Sequence, residues 1–249
     1  FNREAVKKLM PERRDKDHEF GCNPCSEICL RSAETCNLSE VVLRPSDTVD
    51  DVSRKIGLAT ILGTIQSALT DFRYVRPIWK KNAEEERLLG VSFTGVFDCP
   101  VVLNATPDQL NAWKGSAVYM NNVWAKKLDI NPSAAITCIK PSGTVSQLTG
   151  VAGSGLHPAY AKYYIRRIRQ DKKDPLNQAL MDAGIQYEDD PYNKEAIVFS
   201  FPMKAPAKSR TRHEFTAIQH LEVWKKFALH WCEHKPSVTI YVGEDEWLE

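Results

Sequence analysis

The chain has 249 residues, and its 33 Lys and Arg against 32 Asp and Glu give a formal charge of +1. A net charge this close to zero does not favour a general binder of polyanions, so nucleic acid is not an expected partner. No apolar run approaches the roughly 20 residues that a membrane-spanning helix needs, so no membrane partner is expected either. A composition that is 43% hydrophobic and 26% charged is typical of a globular protein with a substantial core.

Both ends of the sequence suggest a piece of a longer polypeptide. The first residue is Phe1 rather than Met, and the opening residues lack the basic-then-apolar order of a secretion signal. The last seven residues, 243–249, have the composition of a helix that is only beginning. We therefore expect a fragment with a cytoplasmic location.

Helices and strands are predicted to alternate along the chain. Apolar residues in steps of three and four predict a helix from Val49 to Leu69, capped by one of residues 46–48. Thr106 before Pro107 is a helix-start signal. The other predicted helices lie at 83–88, 175–183 and 213–232, and the predicted strands at 91–96, 134–139, 196–201 and 237–242.

This alternation predicts an α/β fold with parallel strands, either a barrel or a doubly wound sheet. Active sites on such folds lie in the loops at the strand ends. Loops that adjoin strands are therefore the first places to look for chemistry.

Four of the seven cysteines fall within fifteen residues, at Cys22, Cys25, Cys29 and Cys36. Their spacing permits a zinc or iron–sulfur site, although structural zinc sites usually show two Cys-x-x-Cys pairs and this segment has one. They could also be small buried hydrophobes, as free cysteines often are. A third interpretation is thiol redox or radical chemistry in a reducing compartment.

The residues between these cysteines favour the third interpretation. Asn23, Cys25 and Glu27 place an amide, a thiol and a carboxyl group at alternate positions. In an extended loop such positions point the same way, so all three side chains would face one substrate. A metal site would need neither the Asn nor the Glu.

Residues 141–146, Pro-Ser-Gly-Thr-Val-Ser, follow a predicted strand and are expected to open a helix. Free N–H groups at a helix start, with hydroxyl side chains and a glycine, can form a phosphate cradle. An ordinary turn is the alternative. Residues 163–169 mix aromatics with cations, which we interpret as a solvated face rather than a nucleic-acid site.

Asn-Pro-Cys-x-Glu at 23–27, followed by Cys-Asn-Leu at 36–38, resembles the finger loop of the catalytic chain of ribonucleotide reductase. Further segments are similar to the adenosylcobalamin-dependent (class II) type, especially its monomeric ribonucleoside-triphosphate reductase branch. These segments are 140–146, 155–160, 163–167, 236–240 and 246–248. The resemblance implies roughly the second half of a ten-stranded α/β barrel with the reactive loop at its centre.

The resemblance also implies a role for each matching residue. Cys25 would carry a thiyl radical that takes the 3′ hydrogen of a ribonucleotide, Glu27 would be the general base and Asn23 would hold the sugar hydroxyls. Cys36 would be one of two reducing thiols, its partner lying upstream of this chain. Four residues would bind the substrate phosphates, and no metal ligand is expected; the four are Ser142, Gly143, Thr144 and Ser146.

On this resemblance, residues 1–249 form a single α/β region with a finger loop at about 21–37 and a phosphate-binding loop at about 140–146. The implied cofactor is adenosylcobalamin. The implied partners are a ribonucleoside triphosphate or diphosphate, a thioredoxin-type or other dithiol reductant, and the remainder of the same barrel. Isolated, the fragment is expected to be inactive. Two alternatives stay open, a small metal-binding or thiol-redox module built on the cysteine cluster and a non-catalytic scaffold.

Overall fold

A computed structural model describes residues 2–247, so Phe1, Leu248 and Glu249, with the sequence inferences drawn from them, lie outside the described residues. The chain divides into two compact units. The larger runs to Ala159 and resumes at Pro206, and the smaller comprises Tyr160–Ala205. No helix among residues 2–247 has the length and apolar character needed to cross a membrane.

The larger unit opens with helix α1 (Arg3–Leu9) and a short hairpin of strands β1 (Phe20–Cys22) and β2 (Cys29–Arg31). The two strands are antiparallel, with Cys22 opposite Cys29. The hairpin therefore presents the six intervening residues, 23–28, as its tip.

Parallel strands form the centre of the larger unit. Strands β3 (Asn37–Val42) and β4 (Leu89–Thr94) pair in parallel, with Asn37 opposite Leu89. Residues 135–139 extend the arrangement on the other side of β4, where the Cys138 N–H donates to the Val91 carbonyl at 3.1 Å. A parallel bridge between Ile139 and Pro236 adds the next segment.

Within residues 2–247, seven further α-helices and the strands of the smaller unit complete the architecture. In the larger unit these helices are α2 (Val49–Ser67), α3 (Pro77–Glu86), α4 (Pro100–Leu103), α5 (Pro107–Lys127), α6 (Gly143–Thr149) and, after the smaller unit, α8 (Ala217–His230). Short 3₁₀ turns lie at Val96–Asp98, Arg212–Glu214 and Glu244–Glu246. Two predicted helix caps are confirmed. Thr48 caps α2 in a capping box, and Thr106 caps α5 ahead of Pro107.

The two faces of the parallel strands differ in character. Val41, Val91 and Phe93 join the main hydrophobic core, where Phe93 stacks on Trp231 with ring centroids 4.3 Å apart. Because side chains alternate along a strand, the residues between them point to the opposite face. On β3 and β4 this opposite face carries Glu40 and Ser92, so it is polar.

The smaller unit is an antiparallel sheet in the order β5-β7-β6, with one helix. Its elements are β5 (Tyr163–Asp171), α7 (Leu176–Asp182), β6 (Gln186–Asp189) and β7 (Ala196–Lys204). Strand β5 contains the aromatic and cationic segment, and its Arg167 and Arg169 pair with Glu188 and Asp190. This sheet was not expected, since the alternation of elements favoured parallel strands throughout.

The observed elements confirm the α/β class and correct several boundaries. The helix expected at 83–88 begins six residues earlier, at the helix-starting Pro77. The strand expected at 134–139 makes only isolated bridges and single hydrogen bonds. The strand expected at 237–242 is absent from the described residues, where pairing stops after Pro236 and Ser237.

Candidate functional site

The tip of the β1–β2 hairpin is a tight turn. The Ser26 N–H donates to the Asn23 carbonyl at 2.9 Å, and Ser26 adopts a left-handed conformation with φ of 62°. Pro24 fixes its own φ, which suits the second position of such a turn. The expectation of an extended loop with alternating side chains is therefore wrong, because the chain reverses direction between Asn23 and Ser26.

The turn still brings Asn23 and Glu27 together. The Asn23 amide Nδ2 donates to Glu27 Oε1 at 2.6 Å, while Asn23 Oδ1 accepts the Ile28 N–H at 3.0 Å. Asn23 therefore closes the loop from within and orients the carboxylate. The Glu27 side chain is fully buried, and its second oxygen, Oε2, is buried without a hydrogen-bond partner.

Cys25 lies at the exposed tip of this turn. Its thiol is accessible from outside the loop, whereas Cys29 at the hairpin base is buried and its pKa is raised by that burial to about 11. An ionised thiol is the reactive species in ionic chemistry, so Cys29 is suited to packing rather than to reaction. The structure thus separates one accessible thiol from its near neighbours.

Cys36 lies immediately before strand β3 and is half-buried. Burial raises the pKa of its thiol, and the nearby Glu34 carboxyl adds to the rise. The charges of Glu27 and Lys140 also act on this thiol, so Cys36 lies near both residues. All seven cysteines are free thiols, and no group of three metal-ligating side chains occurs among residues 2–247. A metal site built on the cysteine cluster is not favoured.

The segment at 140–146 begins helix α6, as the sequence predicts. Ser142 stands at the N-cap but does not cap the helix, because its hydroxyl donates to Thr94 Oγ1 at 2.8 Å. Ser146 is buried and donates to the Gly143 carbonyl at 2.8 Å. Gly143 and Thr144 are exposed at the first turn. The four expected phosphate ligands therefore divide into two buried hydroxyls and two accessible positions.

Lys140 joins the two loops, and sequence analysis assigned it no role. Its ammonium group donates to Glu27 Oε1 at 2.7 Å, and its backbone N–H donates to Ser92 Oγ at 2.9 Å. Burial lowers the pKa of Lys140, but the hydrogen bond and charge of Glu27 outweigh it, so the net shift is upward. A lysine directly after a predicted strand and before a candidate phosphate loop was the signal that could have identified it.

Glu40 is a second residue that sequence analysis missed. It is half-buried on the polar face of β3 and accepts a hydrogen bond from Ser92 at 3.3 Å. Burial raises the pKa of Glu40 to about 7, opposed by hydrogen bonds from Ser142 and Ser92 and by the charge of Lys140. Residues 37–42, Asn-Leu-Ser-Glu-Val-Val, do not alternate between polar and apolar, so the sequence carries no signal for this carboxyl group.

Comparisons with known proteins show what the whole chain is similar to. No model of a known protein family matches the chain. The chain is similar to the adenosylcobalamin-dependent ribonucleoside-triphosphate reductase of Lactobacillus acidophilus, with 30% identity over 93% of this chain and 35% of that protein. It is similar to the reductase of the same name from Levilactobacillus brevis, with 28% identity over 91% and 34%. The chain thus spans about a third of the length of these curated relatives.

Solved structures show the same relationship. A crystal structure of a B12-dependent (class II) ribonucleotide reductase matches 90% of this chain and 35% of its own, with a TM-score of 0.73 and 25% identity. The α subunit of a class Id reductase from Actinobacillus ureae has a TM-score of 0.56 at 15% identity, over 94% of this chain and 50% of its own, which shows likeness of fold alone.

Sequence and fold together make the chain similar to ribonucleotide reductases. Within that class, it resembles the adenosylcobalamin-dependent ribonucleoside-triphosphate reductases. The resemblance first drawn from the motifs at 23–38 and 140–167 is confirmed.

Proposed function

We propose that this chain reduces ribonucleotides to 2′-deoxyribonucleotides by a thiyl-radical mechanism, as part of a ribonucleoside-triphosphate reductase. The single observation that carries the proposal is the contact between Glu27 and Lys140 at 2.7 Å. It places the turn that carries Cys25 beside the segment that opens α6, where a substrate phosphate would bind. A nucleotide could then reach both.

Three residues of the turn would act on the sugar. Cys25 would take the 3′ hydrogen atom as a thiyl radical and return it at the end, because an S–H bond exchanges hydrogen reversibly with a sugar C–H. Glu27 would accept the proton of the 3′-hydroxyl, and the 2′-hydroxyl, protonated by one of the two reducing thiols, would leave as water. Asn23 would hold the sugar hydroxyls in position beside the Glu27 carboxylate. The unpartnered Glu27 Oε2 supports its role as acceptor.

Cys36 would supply one of the two reducing equivalents. Two thiols are oxidised to a disulfide while carbon 2′ of the sugar is reduced, and the second thiol would lie outside this chain. Cys36 is half-buried near Glu27 and Lys140, which supports this assignment. A thioredoxin-type or other dithiol would then reduce the disulfide again.

The start of α6 would bind the substrate phosphates. The N–H groups of its first turn have no partner within the helix, and Ser142 leaves them uncapped. Gly143 and Thr144 would contact the phosphates directly, and Ser142 and Ser146 would shape the turn from beneath. A ribonucleoside triphosphate is the expected substrate, with the diphosphate as the alternative.

The radical would originate from adenosylcobalamin, the cofactor named for the relatives. Homolysis of its cobalt–carbon bond supplies an organic radical able to take hydrogen from a thiol. The exposure of Cys25 fits a cofactor that approaches from outside the loop. Cys25 is the residue that would face it.

The chain would form one α/β region over residues 1–249, roughly the second half of a ten-stranded barrel with the turn at its centre. The parallel order of β3, β4 and residues 135–139 supports this. Because the chain spans about a third of its relatives, we expect no turnover by the 249 residues alone. The rest of the barrel would be needed, and free thiols suit a cytoplasmic location.

A chimera tests the proposal. The matching third of the L. acidophilus reductase is replaced by this chain, and deoxyribonucleotide formation is measured with adenosylcobalamin, a dithiol and a ribonucleoside triphosphate. We expect turnover that Cys25→Ser abolishes, while Cys99→Ser, a buried thiol outside the site, retains it. A chimera that shows a cooperative thermal unfolding transition but is inactive, or one that is active without Cys25, would contradict the proposal.

A further inference from the structure

Glu27 presents its two carboxylate oxygens to different environments. Oε1 accepts two hydrogen bonds, from Asn23 Nδ2 at 2.6 Å and from Lys140 Nζ at 2.7 Å. Oε2 is buried and has no partner. One oxygen is therefore held by the protein, and the other has its hydrogen-bonding capacity unused.

The backbone of Lys140 is held in place by a neighbouring strand and a neighbouring loop. Its N–H donates to Ser92 Oγ on β4, and its carbonyl lies so close to Gly155 that a Cβ there would approach it to 2.7 Å. Gly155 also has a φ of 56°, which glycine adopts without strain. Lys140 thus extends from a fixed point toward the turn that carries Cys25.

Of the two donors to Glu27, Lys140 stabilises the buried carboxylate more than Asn23 does, because only Lys140 is charged. A fully buried carboxylate is unfavourable unless a counter-charge or several hydrogen bonds compensate it. Asn23 is neutral and contributes one hydrogen bond. Lys140, whose side chain is 28% exposed against 0% for Glu27, contributes both a hydrogen bond and a positive charge.

The thiols and the carboxyl group around this pair do not supply that charge, and Lys235 is a second cation near the turn. Cys36 and Cys138 lie close enough to act on Glu27, and burial raises the pKa of both thiols, which keeps them neutral. Cys25 and Glu40 act on Lys140 and carry no positive charge. Lys235 donates its backbone N–H to the Glu27 carbonyl, and its side-chain charge acts on Cys29.

We propose that Lys140 is a positioning residue, whose salt bridge to Oε1 fixes the Glu27 carboxylate with Oε2 directed at the 3′-hydroxyl of the substrate. This inference rests on the proposed function for the identity of the substrate. It gives Lys140 a role in positioning the general base Glu27, and this role is separate from phosphate binding.

The test removes the charge and keeps the bulk. In Lys140→Met, loss of a partner within 4 Å is expected to raise the titration midpoint of the Glu27 carboxyl by about 1–3 pH units. Carbon-13 NMR of the glutamate side chains of the 249-residue chain measures it, with Glu27→Gln assigning the signal. Lys140→Arg should restore the midpoint to within about 0.5 unit.

Lys55→Met is the matched control. Lys55 has a similar exposure, 26%, and a similar contact with a buried carboxylate, Asp47, at 2.6 Å. It lies in α2, and its substitution should leave the Glu27 midpoint unchanged. An unchanged midpoint in Lys140→Met, or an equal shift in Lys55→Met, would overturn the inference.

Two further readouts separate the inference from the proposed function. In the unsubstituted chain, the NMR signal of the Lys140 side chain should shift at the pH where Glu27 titrates. This measurement does not depend on the folding of any variant. A Lys140 signal that does not shift there would overturn the inference. In the chimera, Lys140→Met should move the acid limb of the pH–rate profile upward by the same 1–3 units, with rescue by arginine. If Lys140 and Glu27 titrate together but the chimera forms no deoxyribonucleotide, the proposed function is contradicted and the inference about Lys140 is not.

Discussion

Arg14 and Glu86 form a buried two-point ion pair that ties the base of the β1–β2 hairpin to helix α3. The guanidinium donates from Nε and Nη2 to the two carboxylate oxygens at 2.9 and 2.6 Å. The same Nη2 donates to the carbonyl of Cys29 at 3.0 Å. One arginine thus sets the position of strand β2 relative to the helix that precedes β4.

Removing this arginine should destabilise the fold strongly. Arg14→Met leaves Glu86 buried without its main counter-charge, which typically costs about 3–5 kcal/mol. Urea unfolding followed by circular dichroism measures the free energy of unfolding. The exposed Arg54, which pairs with Asp51 at 3.5 Å, is the control, and Arg54→Met should change stability by under about 1 kcal/mol. Equal effects of the two substitutions would contradict the role of burial.

The stability of the chain should fall as the pH rises toward 8. Burial raises the pKa of Glu34 from its ordinary 4.5 to about 8, and the Glu86 carboxylate adds to the rise. Despite burial, the hydrogen bonds from Arg14 and Glu34 lower the pKa of Glu86, so the pair shares one proton. The folded chain keeps this proton between pH 4.5 and 8 while the unfolded chain releases it, so folding is disfavoured as pH rises.

Unfolding at a series of pH values measures this effect. One proton gives a slope of up to about 1.4 kcal/mol per pH unit. Glu34→Gln cannot titrate, so the difference in stability between the unsubstituted chain and this variant should follow the slope through the window. A difference that stays constant from pH 5 to 8 would show that Glu34 is ionised when folded.

Cys25 should be the first thiol to react with an alkylating reagent. It is exposed, whereas Cys29, Cys99, Cys138 and Cys232 are buried and burial raises the pKa of each. Since the thiolate is the nucleophile, both effects slow the buried thiols. Timed iodoacetamide labelling with peptide mass spectrometry should show Cys25 modified at least about tenfold faster than Cys29. Faster labelling of any buried thiol would mean that the hairpin opens in solution.

The loop before the smaller unit depends on a glycine. A Cβ at Gly153 would lie 1.8 Å from the His157 carbonyl oxygen, and the Gly153 carbonyl accepts the Gly95 N–H at 3.0 Å. Gly153→Ala should therefore cost about 1–3 kcal/mol, the usual range for overpacking. Gly115, in the middle of α5 with open space around it, is the control, and Gly115→Ala should stabilise by about 0.5–1 kcal/mol. Thermal unfolding of both variants decides the matter.

The sequence predicted best where local signals were strong. Thr48 and Thr106 marked helix starts because capping is a contact between near neighbours in the chain. The expectation that residues 237–242 form a strand failed because apolar alternation does not specify a partner strand. The turn at 23–26 was misjudged as extended although Asn23 before Pro24 is a turn signal, and the left-handed Ser26 lacks the glycine that would have reinforced that signal.

Only the local half of the candidate site could be predicted from the sequence, for a similar reason. Asn23 and Glu27 are four residues apart, so their pairing is local. Lys140 lies 113 residues from Glu27, and only the fold brings its charge to the carboxylate. The assignment of Asn23, Cys25, Glu27 and Cys36 to their roles came from resemblance and stays a proposal.

The central claim is that the Cys25 sulfur takes hydrogen from carbon 3′ of a ribonucleotide. Tritium placed at that carbon tests it directly, because a hydrogen transferred to a thiol can exchange with water. In the chimera, tritium should appear in water during turnover, and Cys25→Ala should abolish both tritium release and deoxyribonucleotide formation. Tritium release or deoxyribonucleotide formation that persists in Cys25→Ala would contradict the account.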